Sequence, residues 1–221
     1  AVPVEHRHPH RGGIHLDAFV AEDLAGLPHQ LHLFLGVAVV GEVVDVRDQV
    51  LEYLVRRNLA GERLLRGMCL RLLLELDDGE RLSEGPVIVQ YIADQVPDKK
   101  LAPPAGTMAR YRLQEWLNFI TSELHKGFSP LFNPAVPEDA RPVLRKKLVE
   151  RFTWVDGQLA GKAYLMGDEF SVADAYLFTV ASWAPHVGVD ITGLANLSAF
   201  SARMYARPAV QAAMKAEGLL K

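Results

Sequence analysis

The chain has 221 residues, a hydrophobic fraction of 49% and a formal net charge of −3. This length fits one large domain or two small ones, with ample apolar content for a core. The slightly negative charge gives no reason to expect binding to nucleic acid or to an anionic membrane. One cysteine excludes an internal disulfide, and the longest apolar run, 33–40, is far below the ~18 residues of a membrane span. We therefore expect a cytoplasmic protein.

The amino-acid composition changes near residue 72. No serine, threonine or lysine precedes Ser83, whereas residues 83–221 contain 7 serines, 5 threonines and 8 lysines. Six of the eight histidines lie within the first 32 residues, without a Cys, Asp or Glu partner at a recognised ligand spacing, so no metal site is predicted. A GC-rich gene read in a wrong frame would be enriched in Arg, His, Val, Leu and Gly. Residues 1–71 are therefore expected to be an anomalous segment, and one hypothesis is that they are not a natural coding sequence.

The pattern from residue 72 onward predicts a β-hairpin followed by a helix. The sequence LLLEL at 72–76 is typical of a short strand, Asp-Asp-Gly at 77–79 of a turn, and 80–82 of a return strand. Pro86 suits the first turn of a helix, which places Glu84 and Gly85 at the helix start. Unpaired N–H groups and the positive end of the helix dipole favour a bound carboxylate or phosphate there. An ordinary helix start is the alternative that these residues leave open.

Beyond a proline-rich linker at 96–106, the pattern is helical to the end of the chain. Helices are predicted at 107–127, 138–160, 173–184, 196–206 and 208–217. The first is expected to stop near Gly127, because Ser129-Pro130 follows. Ser171 and Asp174 are spaced as a capping box before Ala173–Ala184. That segment is apolar nearly all round, so it is predicted to be the most buried helix.

The helix at 107–127 has two faces. Its apolar stripe comprises Leu113, Leu117, Ile120, Leu124 and Phe128. Asn118, Ser122 and His125 fall within about 60° of one another on another side of the helix. This polar row either meets water or lines a ligand groove, and the helix alone leaves both interpretations open.

Four stretches of the chain carry a family resemblance. They are LDDGERLSEGPVIVQYIAD, YRLQEWLNFITSELHKGFSPLFNP, GDEFSVADAYLFTVASWA and the ending AEGLLK. In this order they resemble bacterial beta-class glutathione transferases over about residues 74–221. The resemblance implies an α+β protein, usually a homodimer. In it 72–95 would end a thioredoxin-like domain that is incomplete or aberrant in this chain, and 107–221 would form an all-helical C-terminal domain.

The resemblance also implies a reaction and a binding site. The expected reaction is conjugation or thiol exchange of glutathione thiolate with small electrophilic compounds, as in detoxification, with glutathione as co-substrate and no metal. The family holds the γ-glutamyl end of glutathione at the positions of Glu84 and Gly85. Polar residues on the first helix of its second domain complete the site. The matching positions here are Asn118, Ser122, His125 and Lys126.

The chain departs from the family before residue 72. The family's Pro-Gly-Ala-Cys-Ser loop, whose cysteine meets the glutathione sulfur, has no counterpart in residues 1–71. Arg71-Leu72 stands where a Val-Pro dipeptide is expected, and Cys69 is not assigned a catalytic role. We therefore expect transferase activity near zero from the chain as written. The alternative function is a non-catalytic glutathione-transferase-like module that binds ligands or partners.

Overall fold

A computed structural model describes residues 73–75, 80–216 and 219–220. The predictions about residues 1–71, Cys69 and the turn at 77–79 lie outside these residues. Among the described helices, none combines the length and apolarity that crossing a membrane requires.

The described elements are two short strands followed by helices. The strands are β1 (Leu73–Glu75) and β2 (Arg81–Ser83), and the α-helices are α1 (Gly85–Gln95), α2 (Met108–Phe119), α3 (Lys126–Phe132), α4 (Arg141–Leu159), α5 (Val172–Ser182), α6 (Ala195–Tyr205) and α7 (Pro208–Ala216). A π-helical segment, Ile120–His125, joins α2 to α3. Short 3-10 helices lie at Pro97–Lys99, Glu138–Ala140 and Ala184–Val187.

The strands pair antiparallel, with Leu74 opposite Leu82. Their positions agree with the predicted hairpin. In the described part of the chain, the sheet consists of these two strands, and α1 packs against both.

Helix α5 is the centre of the helical region. Every residue from Val172 to Ala181 is buried. Since the segment is apolar nearly all round, it can only be stable when other helices cover it on every side. The prediction that this helix is the most buried is confirmed. No strand occurs within 108–216, where the described residues show one isolated bridge, between Tyr164 and Gly167.

The start of α5 is held by the predicted capping box. The Asp174 carboxylate accepts from the backbone N–H and the hydroxyl of Ser171, both at 2.8 Å. Its other oxygen accepts from the Leu165 N–H at 2.8 Å. Burial raises the pKa of Asp174 to about 6, although these three donors oppose the shift.

The helical run that begins with α2 is longer than predicted. The predicted end near Gly127 is wrong, because the chain continues through the π segment and α3 to Phe132. Pro130 lies inside α3 and cannot donate a backbone hydrogen bond. Phe128 and Leu131 are buried, and Phe128 stacks on Phe132 with ring centroids 6.1 Å apart. Tertiary packing therefore overrides the local signal.

Arg110 links α1 to the helical region through hydrogen bonds and an ion pair. Its side chain is almost fully buried and binds both oxygens of Asp94, at 2.8 and 2.5 Å. It also donates to the Gln90 side chain at 3.1 Å and to the Pro103 carbonyl at 2.7 Å. Because Gln90 and Asp94 belong to α1 and Arg110 to α2, these bonds fix the helix that carries Gly85 relative to the polar row.

Candidate functional site

The backbone is strained where α1 begins. Glu84 is exposed and has φ 71° and ψ 113°, a conformation that a residue with a Cβ rarely adopts. Its carbonyl accepts from the N–H groups of Val87 and Ile88 at 2.9 and 3.0 Å. No side chain caps the helix. Strained residues of this kind persist only where the surrounding structure holds them in place, and they cluster at ligand clamps.

The π segment, Ile120–His125, changes the shape of the polar row. Its wider turn accommodates one extra residue, which rotates later side chains by about 100° relative to a regular α-helix. The hydroxyl of Ser122 donates to the Asn118 carbonyl at 3.0 Å, and that of Thr121 to the Leu117 carbonyl at 2.8 Å. These two bonds satisfy backbone carbonyls just before the π segment. Asn118 and Ser122 are exposed, whereas His125 is half-buried and faces α5.

His125 contacts two aromatic side chains, one near the middle of α5 and one directly after its end. Its Nδ1 lies 2.7 Å from the hydroxyl of Tyr176. Its ring meets Trp183 nearly edge to face, with centroids 4.8 Å apart and an interplanar angle of 81°. Trp183 in turn packs edge to face on Phe128. The imidazole is therefore held by a hydrogen bond and by an aromatic wall.

Tyr176 links the two halves of the candidate site. Burial raises the pKa of Tyr176 to about 12, with the nearby Thr121 hydroxyl opposing the shift and the negative charge of Glu84 adding to it. Glu84 is therefore close enough for the phenol to sense its charge. The helix start and His125 thus lie near the same buried tyrosine.

The remaining predicted residues are solvent-accessible. Gly85 is half-buried, and Lys126 is exposed, like Asn118 and Ser122. The glutathione contacts assigned to all of these residues remain predictions. Within the described ranges, no group of three or more His, Cys, Asp or Glu side chains is arranged to hold a metal ion.

Tyr176 was not among the site residues that the sequence predicts. A signal for it exists, because a phenol inside a helix that is apolar nearly all round needs a hydrogen-bond partner. The sequence offers several candidate partners and does not identify His125 among them. The strain at Glu84 has no comparable signal, since glutamate is not a residue that marks positive φ.

Comparisons with known proteins agree with this architecture. The model of the "Glutathione S-transferase, C-terminal domain" family matches residues 119–208. Glutathione S-transferase GstA of Escherichia coli O157:H7 is 48% identical over 146 residues, which are 66% of this chain and 73% of that protein.

Solved structures are similar as well. The ternary complex of BphK, a bacterial GST, is 42% identical, with a TM-score of 0.70 over 85% of this chain and 95% of its own. A sphingomonad glutathione S-transferase complexed with glutathione is 36% identical, with a TM-score of 0.70 over 86% of this chain and 96% of its own. The chain belongs to the glutathione S-transferase family.

Proposed function

We propose that this chain binds glutathione between the start of α1 and His125, and that the bound thiolate reacts with small electrophilic compounds by conjugation or thiol exchange. One observation carries the proposal: strained Glu84 and half-buried His125 lie near the same tyrosine in a chain 48% identical to a glutathione S-transferase. A relative solved with glutathione bound supports the choice of ligand.

The start of α1 suits the γ-glutamyl end of glutathione. That end carries an ammonium and a carboxylate. The exposed carboxylate of Glu84 is a partner for the ammonium. Pro86 has no N–H, and Val87 and Ile88 donate to Glu84, so we assign the ligand carboxylate to the N–H of Gly85, at the positive end of the helix dipole. A glycine there also allows close approach to the backbone.

The sulfur end is assigned to His125 and Lys126. The nucleophile in this chemistry is a thiolate, which forms near neutral pH only where positive potential or donated hydrogen bonds stabilise it. An imidazole N–H and an ammonium supply both. Asn118 and Ser122 would line the same cleft. No catalytic cysteine is assigned, because the family's cysteine loop has no counterpart in residues 1–71.

The domain division, assembly and location are further proposals. Residues 72–95 would end a thioredoxin-like domain, 96–106 would be a linker, and 107–221 would form the helical domain. The anomalous character of 1–71, a homodimeric assembly and a cytoplasmic location belong to the same proposal.

The test combines binding with turnover. The full chain is titrated with glutathione in a calorimeter and assayed with glutathione and a dinitrophenyl chloride. Saturable binding with turnover supports the full proposal. Binding without turnover supports the ligand site and assigns the lost chemistry to residues 1–71, leaving a binding module. Absence of binding overturns the proposed function.

A further inference from the structure

We propose that Gly127 is a positioning residue for the sulfur end of the glutathione site: its missing Cβ lets α3 lie close enough to α4 to place His125 and Lys126 beside the ligand thiol. His125 ends the π segment and Lys126 begins α3, so both adjoin Gly127 in one turn of the chain. The inference rests on the proposed function for the role of this turn, and on the packing of Gly127 for its geometry.

Gly127 lies within the continuous helical run from α2 to α3, where glycine is a poor choice for the helix itself. Glycine inside a helix is less stable than alanine, because its backbone loses more conformational freedom on folding. A Cβ placed at Gly127 would lie 2.8 Å from Cδ2 of Leu148 in α4 and 3.5 Å from its Cγ. The first distance is shorter than folded proteins show for a Cβ atom. An alanine at this position would therefore force α3 or Leu148 to move.

Contacts with α4 lie on both sides of Gly127 in the helical run. Before it, a carboxylate oxygen of Glu123 in the π segment lies 2.9 Å from Nε of Arg151. After it, the rings of Phe128 and Phe152 pack with their centroids 6.0 Å apart. The distance between two packed helices depends on the side chains at their contact. The absence of a side chain at Gly127 therefore sets how near this part of the run lies to α4.

A wider spacing would move the sulfur end of the site and leave the γ-glutamyl end in place. Leu148 is 1% exposed and has little room to retreat, because protein interiors contain few voids. The helical run would shift away from α4 and carry His125 and Lys126 with it. The start of α1 is held through a different part of the run, by the bonds that Arg110 makes from α2. The two ends of the ligand site should therefore respond differently to a Cβ at Gly127.

The packing is tested first without ligand, by thermal unfolding of the full chain. Gly157→Ala is the matched control, because Gly157 lies within α4 and a Cβ there would meet no atom within 4 Å. It should raise the melting temperature by about 2–4 °C, since alanine favours the helix. Gly127→Ala should lower the melting temperature, but should raise it in a Leu148→Val background that lacks Cδ2. A Gly127→Ala variant stabilised as much as Gly157→Ala would overturn the proposal.

The role at the sulfur is tested by isothermal titration with glutathione and with S-methylglutathione, in which a methyl group replaces the thiol proton. We expect Gly127→Ala to reduce the preference for glutathione by about threefold to tenfold, because a misplacement of 1 Å costs about a hundredfold and this shift is smaller. Its affinity for S-methylglutathione should be unchanged, and Gly157→Ala should keep the wild-type preference. Equal weakening of both ligands, an unchanged preference, or a wild type without preference would refute the role.

Two further backgrounds show whether Gly127 acts through the turn to which it belongs. Where His125→Gln and Lys126→Gln are combined, adding Gly127→Ala should reduce the preference no further. In Leu148→Val, adding Gly127→Ala should leave the preference of that background unchanged, because the close contact is gone. A further loss in either background would contradict a positioning role.

These measurements separate this proposal from the proposed function. A wild-type chain that binds no glutathione refutes the function, and the role at the sulfur with it. The melting temperatures still decide whether Gly127 sets the packing of α3 on α4.

Discussion

Two helix starts in this molecule are built in opposite ways. At α5, the Asp174 carboxylate accepts three hydrogen bonds and is completely buried. At α1, Glu84 is exposed, lies at φ 71°, and no side chain caps the helix. The first arrangement satisfies the helix from within the fold, whereas the second leaves a carboxylate and a dipole end accessible. The difference distinguishes a helix start that stabilises the protein from one suited to a ligand.

The largest expected effect comes from removing the cap of α5. Asp174→Ala leaves the buried N–H groups of Leu165 and Ser171 without their acceptor and should lower the free energy of unfolding by roughly 3–4 kcal/mol. Urea denaturation measures the change. Asp190→Ala is the control, since Asp190 makes a similar local turn with Thr192 while exposed. Equal losses in the two variants would show that burial adds nothing to the cap.

The cap of α5 should also make stability depend on pH. Burial raises the pKa of Asp174 to about 6, above its ordinary value of 3.8. Between these values the folded state binds more protons than the unfolded state, so this contribution is fully present below about pH 4. It is lost as the pH rises through 6, and amounts to roughly 2–3 kcal/mol. Urea denaturation across this range should show the decline in the wild type and a smaller one in Asp174→Ala. Parallel profiles would contradict the assignment.

The packing of α1 against the helical region should depend on Arg110. Arg110→Met removes the nearly buried guanidinium that binds Asp94, Gln90 and the Pro103 carbonyl, and should cost about 2 kcal/mol of stability. Arg112→Met breaks the exposed pair with Glu115 and should cost less than about 0.5 kcal/mol. Thermal or urea unfolding measures the stability of both variants. Similar losses in stability would mean that the Arg110 bonds do not hold α1 against the helical region.

The smallest expected effect tests the strain at Glu84. Glycine tolerates positive φ, so Glu84→Gly should be more stable than Glu84→Ala by about 1 kcal/mol. The comparison is made between two variants that both lack the carboxylate. A glycine variant that is no more stable than the alanine variant would show that the backbone at this position is not strained.

Much of the helical region could be predicted from the sequence, because its signals are local. The capping box at Ser171–Asp174 and the apolar segment behind it are set by residues a few positions apart, and both are confirmed. The stripe from Leu113 to Phe128 is buried throughout, as its spacing indicates.

What could not be predicted depends on contacts between distant residues. The π segment and the continuation of helix past Pro130 come from packing on other helices. The partner of Tyr176 lies 51 positions away, at His125. The backbone angle of Glu84 follows from what surrounds it, since glutamate shows no preference for that conformation.

The most direct measurement of the central claim is the affinity of the full chain for glutathione with and without the Glu84 carboxylate. Isothermal titration should show saturable binding by the wild type. Glu84→Ala should weaken it by about 1.5–3 kcal/mol, as expected for a hydrogen bond to a charged group. Glu150→Ala, which removes an exposed carboxylate from α4, should bind as the wild type does. A wild-type chain that binds no glutathione, or equal binding by Glu84→Ala, would contradict the assignment of the start of α1 as the glutathione site.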